Sequence, residues 1–216
     1  TGKYFYGKMP VFEAQGDQSG CMCAFDQEVR EMGFHPLVYG NYKRYLNTNV
    51  GLEQALLWSK KNNISLDKTI AFTDGTKVEI ENVLIANSLD AYFDDEIRNG
   101  DKLEQLIAKS KYTGKKFVDY FLDVDAPSGI FIATDHQKDQ DEYLKYLKFG
   151  TKYQVLVRPF HFCHLEIYKS ILDLMSGAYP RRQNAMQSTI NRYMVASLTK
   201  RPIKAGERIE MGLGSL

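Results

Sequence analysis

Apolar side chains recur at helical spacing early in the chain and are followed by a short apolar run. Four of them lie on one face of a helix: Met22, Phe25, Val29 and Met32. Gly33 is a typical helix terminator, and residues 34–39 have the composition of a buried strand. A short strand over residues 11–15 and a polar turn over residues 16–20 precede the helix. The order strand, turn, helix, strand predicts an α/β unit.

The same alternation of patterns continues along the chain. Helices are predicted from residue 52 to the polar run at 60–63, and over residues 78–89, 103–108, 139–147 and 164–175. Strands are predicted over residues 69–73, 117–124, 130–134 and 153–157. After a loop at 179–191, a strand from residue 192 and the turn Lys204-Ala205-Gly206-Glu207 begin a small β-rich segment. We therefore predict an α/β (α+β) fold in which a mixed sheet has flanking helices and is followed by that segment.

The composition is that of an ordinary globular protein. A chain of 216 residues, with 44% hydrophobic and 25% charged residues, can bury a substantial core. The net charge of +1 argues against a nucleic-acid partner that relies on a broad basic field. No apolar run approaches the roughly 20 residues that cross a bilayer. We expect neither a nucleic-acid partner nor a membrane partner.

The cysteine count bears on the compartment. The chain has three cysteines, Cys21, Cys23 and Cys163, and an odd, sparse set argues against a disulfide framework. Cys21-Met22-Cys23 also lacks the C-x-x-C spacing of common zinc sites. The sequence predicts unpaired, structural thiols and a cytoplasmic protein.

Two polar loops next to predicted strands are candidate binding sites. The turn Gly16-Asp17-Gln18-Ser19-Gly20 places Asp17 or Ser19 at a helix N-terminus, where exposed amides favour either a capping side chain or a ligand anion. The stretch Gly40-Asn41-Tyr42-Lys43-Arg44 follows the strand at 34–39. Lys43 could hold a phosphate or carboxylate there, or it could be a solvated surface-loop residue.

A third candidate is the turn formed by Asp74 and Lys77 around Gly75, after the predicted strand at 69–73. Glu79 and Glu81 lie just beyond it. A lysine beside a carboxylate can hydrogen-bond a substrate oxygen or move a proton. The alternative is a capped helix start whose charges are solvated, since turn formation alone explains Asp-Gly.

The densest polar cluster comprises four residues at a predicted strand-to-helix junction: Arg158, His161, His164 and Glu166. Two histidines three residues apart, together with a glutamate, could bind a divalent cation. The alternatives are contacts to a substrate or a hydrogen-bonded network that fixes the junction. Because this junction and the turn at residues 74–77 both follow predicted strands, we expect them to line one cleft.

Three stretches and their order carry a family resemblance: Gly16-Asp17-Gln18-Ser19-Gly20, Phe72-Thr73-Asp74-Gly75-Thr76-Lys77, and Arg158-Pro159-Phe160-His161-Phe162-Cys163-His164-Leu165-Glu166. Followed by the turn at 204–207, this set resembles the homoserine-dehydrogenase-like oxidoreductases that end in a SAF domain. That group includes the deoxyxylulose-phosphate-reductoisomerase-like enzymes. In such proteins a Rossmann domain precedes the segment at which this chain starts. The Gly-x-Gly-x-x-Gly sequence of a Rossmann domain does not occur in this chain.

The resemblance implies a domain organisation. Residues 1–180 would be a substrate-binding or catalytic domain without its Rossmann partner, residues 181–191 a linker, and residues 192–216 a partial SAF-like segment. NAD or NADP would be bound mainly by the missing domain, with Asp17 and Gln18 as further cofactor-binding residues. A divalent metal is left open, and no residue is assigned as its ligand.

The resemblance also implies a function. The segment would be the substrate-binding part of a nicotinamide-dependent dehydrogenase or reductoisomerase acting on a small polar hydroxy-carbonyl compound, with or without a phosphate group. The catalytic residues would be Lys77, Lys43 and Asp74, and the substrate-binding residues Asn41, Arg158, His161, His164 and Glu166. The segment alone is expected to be inactive, and a homo-oligomer is left open. The alternative is a non-catalytic binding or assembly module.

Overall fold

The structure, a computed structural model, describes residues 13–97, 103–177, 192–196, 198–199 and 202–208. The chain divides into two compact units. The first comprises the described residues of 1–45 and 81–193, and the second those of 46–80 and 194–216. Each unit is considered by itself below.

The described residues form seven α-helices and four strands. The helices are α1 (Gln18–Glu31), α2 (Leu52–Asn62), α3 (Leu66–Thr73), α4 (Thr76–Leu89), α5 (Leu103–Thr113), α6 (Asp141–Tyr146) and α7 (Ile167–Ser176). The strands are β1 (His35–Lys43), β2 (Phe117–Leu122), β3 (Gly129–Asp135) and β4 (Gln154–Arg158). Short 3-10 turns over Lys138–Gln140 and Cys163–Glu166 lead into α6 and α7.

One mixed sheet, in the order β2-β1-β3-β4, forms the centre of the first unit. Strand β1 is parallel to β2 and antiparallel to β3, and β3 is antiparallel to β4. The predicted α/β class with a mixed sheet and flanking helices is confirmed. Gly40 in β1 is required by packing, because a Cβ atom there would overlap the ring of Phe131.

Helices cover both faces of this sheet. On one face, Tyr39, Val118 and Ile132 pack against α1 and the later part of α4, whose contributions are Met22, Phe25, Val29, Ile85, Ala86 and Leu89. On the other face, Phe117, Phe121 and Phe131 pack against Leu106 and Ile107 of α5. Because side chains alternate along a strand, each strand contributes to both cores.

Helices α1 and α4 run in the same direction across their face. The first residue of α1, Gln18, meets Asn41 near the end of β1, whereas Asp26, further along the helix, meets Tyr39. Glu81 of α4 meets Lys43 at the end of β1, and the last carbonyl of the helix, that of Leu89, accepts from Lys116 just before β2. Both helices are therefore antiparallel to β1, and the start of α1 and Glu81 of α4 lie at its carboxyl end.

The second unit includes α2, α3 and the start of α4. The Asn47 N–H donates to the Thr73 carbonyl at 2.7 Å, which ties the approach to α2 to the end of α3. Asn63 ends α2 in a left-handed conformation (φ 52°).

Residues 69–73 are the last part of helix α3, so the predicted strand is wrong. The hydroxyls of Thr69 and Thr73 donate to the carbonyls four residues earlier, which is a helical arrangement. Leu66 precedes Ile70 by four residues, so the apolar spacing typical of a helix already begins before residue 69. A run of only five residues around an apolar centre fits a strand or a buried helix equally well, and here the helical spacing outside the run decides.

The start of the expected SAF-like segment is not a strand in the described residues 192–196 and 198–199. The backbone of Tyr193 bonds instead to the side-chain amide of Asn87, as donor and as acceptor, at 3.1 and 3.0 Å. The predicted turn at 204–207 is confirmed by a 3.1 Å bond from the Glu207 N–H to the Lys204 carbonyl. The predicted linker at 181–191 and residues 11–12 of the first predicted strand lie outside the described residues.

The remaining elements are close to those predicted. Helix α5 continues to Thr113, beyond the predicted end at residue 108. Residues 163–166 form a 3-10 turn before α7, where a continuous helix was expected from residue 164. Residues 13–15 carry only an isolated bridge at Gln15. No helix in the described part of the chain is long and apolar enough to cross a membrane.

Candidate active site

The carboxyl end of β1 gathers several of the residues singled out from the sequence. Asn41 pairs with Ile130 of β3, which in turn pairs with Arg158 of β4. Residues paired across strands share a face, and neighbouring strands lie about 4.8 Å apart. Asn41 and Arg158 therefore belong to one row of the sheet on the face covered by α1. Lys43 lies two residues further along β1 on the same face.

Gln18 and Asn41 form a buried amide pair between α1 and β1. The side-chain Nδ2 of Asn41 donates to Oε1 of Gln18, and the two residues are only 1% and 3% exposed. Among the described residues, Nε2 of Gln18 has no hydrogen-bond partner. If both amides were flipped, their hydrogen bond would still engage only one polar atom of Gln18 and leave the other without a partner among the described residues. Asn41 and Gln18, predicted for substrate and cofactor respectively, are thus one structural pair.

Lys43 pairs with Glu81 of α4. The Lys43 ammonium lies 3.7 Å from the Glu81 carboxylate, and their side chains are 24% and 9% exposed. A carboxylate this well buried requires a compensating charge, which the lysine supplies. The sequence predicts Asp74 as the carboxylate beside a catalytic lysine, whereas the carboxylate beside Lys43 is that of Glu81. Glu81 was noted only as a neighbour of the turn at residues 74–77.

Asn82, the next residue of α4, is not among the site residues predicted from the sequence. It is 1% exposed, and in the part of the chain that the structure describes neither its Nδ2 nor its Oδ1 has a hydrogen-bond partner. Unsatisfied polar groups of this kind are rare in folded proteins and are often functional. One feature of the sequence points to it. Asn82 lies three residues before Ile85 and four before Ala86, which is the spacing of a polar residue on the apolar, inward-facing side of a helix.

Arg158 and Glu166 bracket the junction between β4 and α7. Nη2 of Arg158 lies 3.8 Å from Oε2 of Glu166, and Nη1 of Arg158 is buried without a hydrogen-bond partner among the described residues. The Glu166 carboxylate accepts from the Phe162 N–H and from the Lys169 ammonium, both at 2.7 Å. Burial acts to raise the pKa of Glu166, but these two bonds and the charge of Arg158 outweigh it and leave the pKa lowered.

The two histidines of the junction have different surroundings. Nδ1 of His161 donates to the Gly16 carbonyl at 3.0 Å, and the Cys163 N–H donates to the same carbonyl. His161 therefore fastens the junction to the turn before α1, whereas His164 is exposed. Among the described residues no three His, Cys, Asp or Glu side chains are grouped to hold a metal ion. Glu166, with both oxygens engaged, is part of the network that fixes the junction.

Asp74 and Lys77 belong to the second unit. The Asp74 carboxylate accepts from the Thr76 N–H at 2.8 Å, as in an Asx turn, and the Lys77 ammonium lies 5.1 Å from the centroid of the Phe72 ring. Asp74 follows a helix, so the strand-end argument for a cleft shared with Arg158 no longer applies. The shared cleft and the catalytic roles of these two residues stay predictions.

The turn at residues 16–20 does not fit a pyrophosphate group. A Cβ atom on Gly16 would overlap the Cys163 carbonyl, and one on Gly20 would overlap the Ala14 carbonyl. These glycines therefore allow close contact within the protein, whereas glycines in a dinucleotide fingerprint let the backbone approach phosphate. Asp17 occupies the N-cap position and is exposed, but its side chain makes no capping bond.

A model of the family described as "Oxidoreductase DRL, catalytic domain" matches residues 16–167. The match covers more than half of the chain, and the chain therefore belongs to this family of oxidoreductase catalytic domains. The matched segment begins at the turn before α1 and ends at the first residue of α7. It therefore includes every residue of the site at the carboxyl end of β1. A search of curated proteins found no match.

Proposed function

We propose that this chain forms the substrate side of a nicotinamide-dependent oxidoreductase. The substrate is a small polar hydroxy-carbonyl compound, with or without a phosphate group, which is oxidised or reduced as in a dehydrogenase or rearranged as in a reductoisomerase. The family match supports oxidoreductase chemistry. The resemblance to homoserine-dehydrogenase-like proteins supports the cofactor and the substrate class.

The observation that carries the proposal is the polar layer at the carboxyl end of β1, composed of Gln18, Asn41, Lys43, Glu81, Asn82 and Arg158. Its Lys43–Glu81 pair is charged and largely buried, and three of its side chains have polar atoms without partners among the described residues. This layer lies directly above an apolar core. Convergent polar groups above apolar packing are typical of a small-molecule site.

Lys43 would act on the carbonyl oxygen of the substrate. Its ammonium would donate a hydrogen bond to the substrate carbonyl, stabilise the negative charge that develops on that oxygen and deliver the proton that completes the reduction. Glu81 would hold the ammonium in position. Arg158, whose Nη1 is buried without a described partner, would bind a carboxylate or phosphate of the substrate.

The carbon–hydrogen chemistry is assigned to a nicotinamide, which when bound supplies or accepts hydride. Because the glycines before α1 do not form a pyrophosphate cradle, its dinucleotide would be held by residues other than those of this turn. The described part of the chain would therefore orient the substrate and stabilise the charges on the substrate's oxygen atoms.

The test is a screen for substrate-dependent oxidation of NADH or NADPH by the full-length protein. The panel consists of small hydroxy-aldehydes, hydroxy-ketones and oxo-acids, each with and without phosphate. We expect turnover with at least one anionic member, and Arg158→Gln should raise its KM with little change in kcat. Lys145→Gln is the matched control, because Lys145 pairs with Glu142 on an exposed helix. Absence of hydride transfer with every member, in folded protein, would overturn the proposal.

A binding or assembly module is the second candidate, and the surface of α7 favours it. Six of its apolar side chains are at least 40% exposed: Ile167, Tyr168, Ile171, Leu172, Leu174 and Met175. Contiguous exposed apolar surface of this kind marks interaction sites. If this face is the functional one, Leu172→Glu should abolish self-association or partner binding, and the screen above should show no hydride transfer.

A further inference from the structure

The buried amide of Asn82 has no explanation within the fold. Neither of its polar atoms has a hydrogen-bond partner among the described residues, although the side chain is 1% exposed. Leaving a buried donor and a buried acceptor unsatisfied destabilises a protein. Each such group in a folded protein calls for an explanation, and a functional site at which a ligand satisfies the group is one.

The position of Asn82 places it in the candidate site. On α4, Asn82 precedes Ile85, Ala86 and Leu89 by three, four and seven residues, which is the spacing of one helix face. Those three residues pack in the core between α4, α1 and the sheet. Asn82 therefore continues their inward face by one turn, towards the carboxyl end of β1.

Its immediate neighbour fixes the chemistry around it. Glu81, the preceding residue in α4, carries the carboxylate that lies 3.7 Å from the Lys43 ammonium. A substrate oxygen that binds Lys43 would consequently lie close to Glu81 of α4. Gln18, with one amide atom left over, starts the parallel helix α1 at the same end of β1.

We infer that Asn82 is a specificity-determining residue that binds an adjacent hydroxyl and carbonyl of the substrate. The inference rests on the proposed function and deepens it. Oδ1 of Asn82 accepts from the hydroxyl, and Nδ2 donates to the carbonyl oxygen, so that one amide satisfies both groups. A compound without the hydroxyl leaves Oδ1 unsatisfied in a buried site and is bound more weakly. Asn82 moves no proton in this scheme.

The first measurement is the melting temperature without ligand. Asn82→Leu replaces an unsatisfied amide with an apolar group of similar volume, so the melting temperature should stay the same or rise. Ser170→Ala is the matched control, because the buried Ser170 hydroxyl accepts from the Gln15 N–H at 2.8 Å. That control should lower the melting temperature. A clear loss of melting temperature in Asn82→Leu would show a structural role for the amide and overturn the inference.

The second measurement compares two probes that differ in one hydroxyl, dihydroxyacetone phosphate and hydroxyacetone phosphate, by ligand-observed NMR on the full-length protein. The wild type should bind the first on the order of tenfold more tightly or better, since tenfold corresponds to the loss of about one hydrogen bond. Asn82→Leu should bind both probes equally. Asn82→Asp should weaken both but keep the preference, because a carboxylate still accepts from the hydroxyl and cannot donate to the carbonyl.

The outcomes separate the two proposals. If Asn82→Leu keeps the wild-type preference, or if the wild type has no preference, Asn82 does not bind the hydroxyl and the inference is wrong. The proposed function would still stand in that case if hydride transfer depends on Lys43. If the wild type binds neither probe and transfers no hydride in the screen, the hydroxy-carbonyl site itself is wrong, and the inference is wrong with it.

Discussion

The Tyr39 hydroxyl donates a 2.6 Å hydrogen bond to the Asp26 carboxylate, and both side chains are almost completely buried. Arg30, one turn later in α1, donates to the same carboxylate at 2.9 and 3.0 Å. Burial, followed by the charge of Asp26, raises the pKa of Tyr39, so the phenol remains the donor over the usual pH range. This trio fixes α1 against β1 and thereby positions Gln18 above Asn41.

Replacing Tyr39 with Phe should destabilise the protein by about 1–3 kcal/mol, because the buried Asp26 carboxylate loses one of its hydrogen-bond donors. The free energy of unfolding, measured in urea, tests this. Tyr112→Phe is the matched control, since Tyr112 is 92% exposed and the change should lie within about 0.5 kcal/mol. Equal stabilities for the two variants would contradict the structural role of the bond.

The three cysteines should all be free thiols with unequal reactivity. None of them is paired in the structure, and Cys163 is exposed whereas Cys21 and Cys23 are buried. Burial raises the pKa of Cys23 to about 12, so little thiolate forms at neutral pH. Thiol titration of unreduced protein should show one fast-reacting thiol in the folded state and three after unfolding. A total of one would indicate a disulfide and would contradict both the structure and the expected cytoplasmic location.

The network around Glu166 should make stability depend on pH in the acid range. The folded-state pKa of Glu166 lies below its ordinary value of 4.5, so the carboxylate favours folding above that value. This contribution is lost as the pH falls through the folded-state pKa. Glu166→Gln should therefore lower the melting temperature at neutral pH and should approach the wild type in acid. An unchanged difference between the two proteins from neutral to acid pH would contradict the assignment.

The isolated 216-residue chain should not bind NADH or NADPH at ordinary cofactor concentrations. Gly16 and Gly20 lie against the protein's own carbonyls, so the turn before α1 offers no cradle for pyrophosphate. Isothermal calorimetry on the folded chain measures this. Micromolar affinity would show that this chain itself binds the dinucleotide.

The sequence was sufficient for most of the fold because its apolar spacing is strong. The face of α1 and the apolar run of β1 were both predicted, and the structure confirms both. Residues 69–73 were assigned to a strand because a short apolar run fits two structures, and the helical hydroxyl bonds of Thr69 and Thr73 become visible only in three dimensions.

The candidate site was only partly predictable for a related reason. Asn41, Lys43 and Arg158 are predicted from their positions at the ends of predicted strands, which are local features of the chain. Glu81 and Asn82 depend on how α4 packs on the sheet, and this long-range relationship leaves little signal in the sequence. The pairing of Lys43 with Glu81 therefore had to come from the structure.

The choice between Lys43 and Lys77 is the most direct test of the account. In the full-length protein, with a substrate found in the screen, Lys43→Met should lower kcat by on the order of 10²–10⁴, the usual scale for a proton-transfer group. Lys77→Met should change kcat little, because Lys77 lies over the Phe72 ring beside an Asx turn. Wild-type turnover in Lys43→Met, together with a large loss in Lys77→Met, would contradict the site at the carboxyl end of β1.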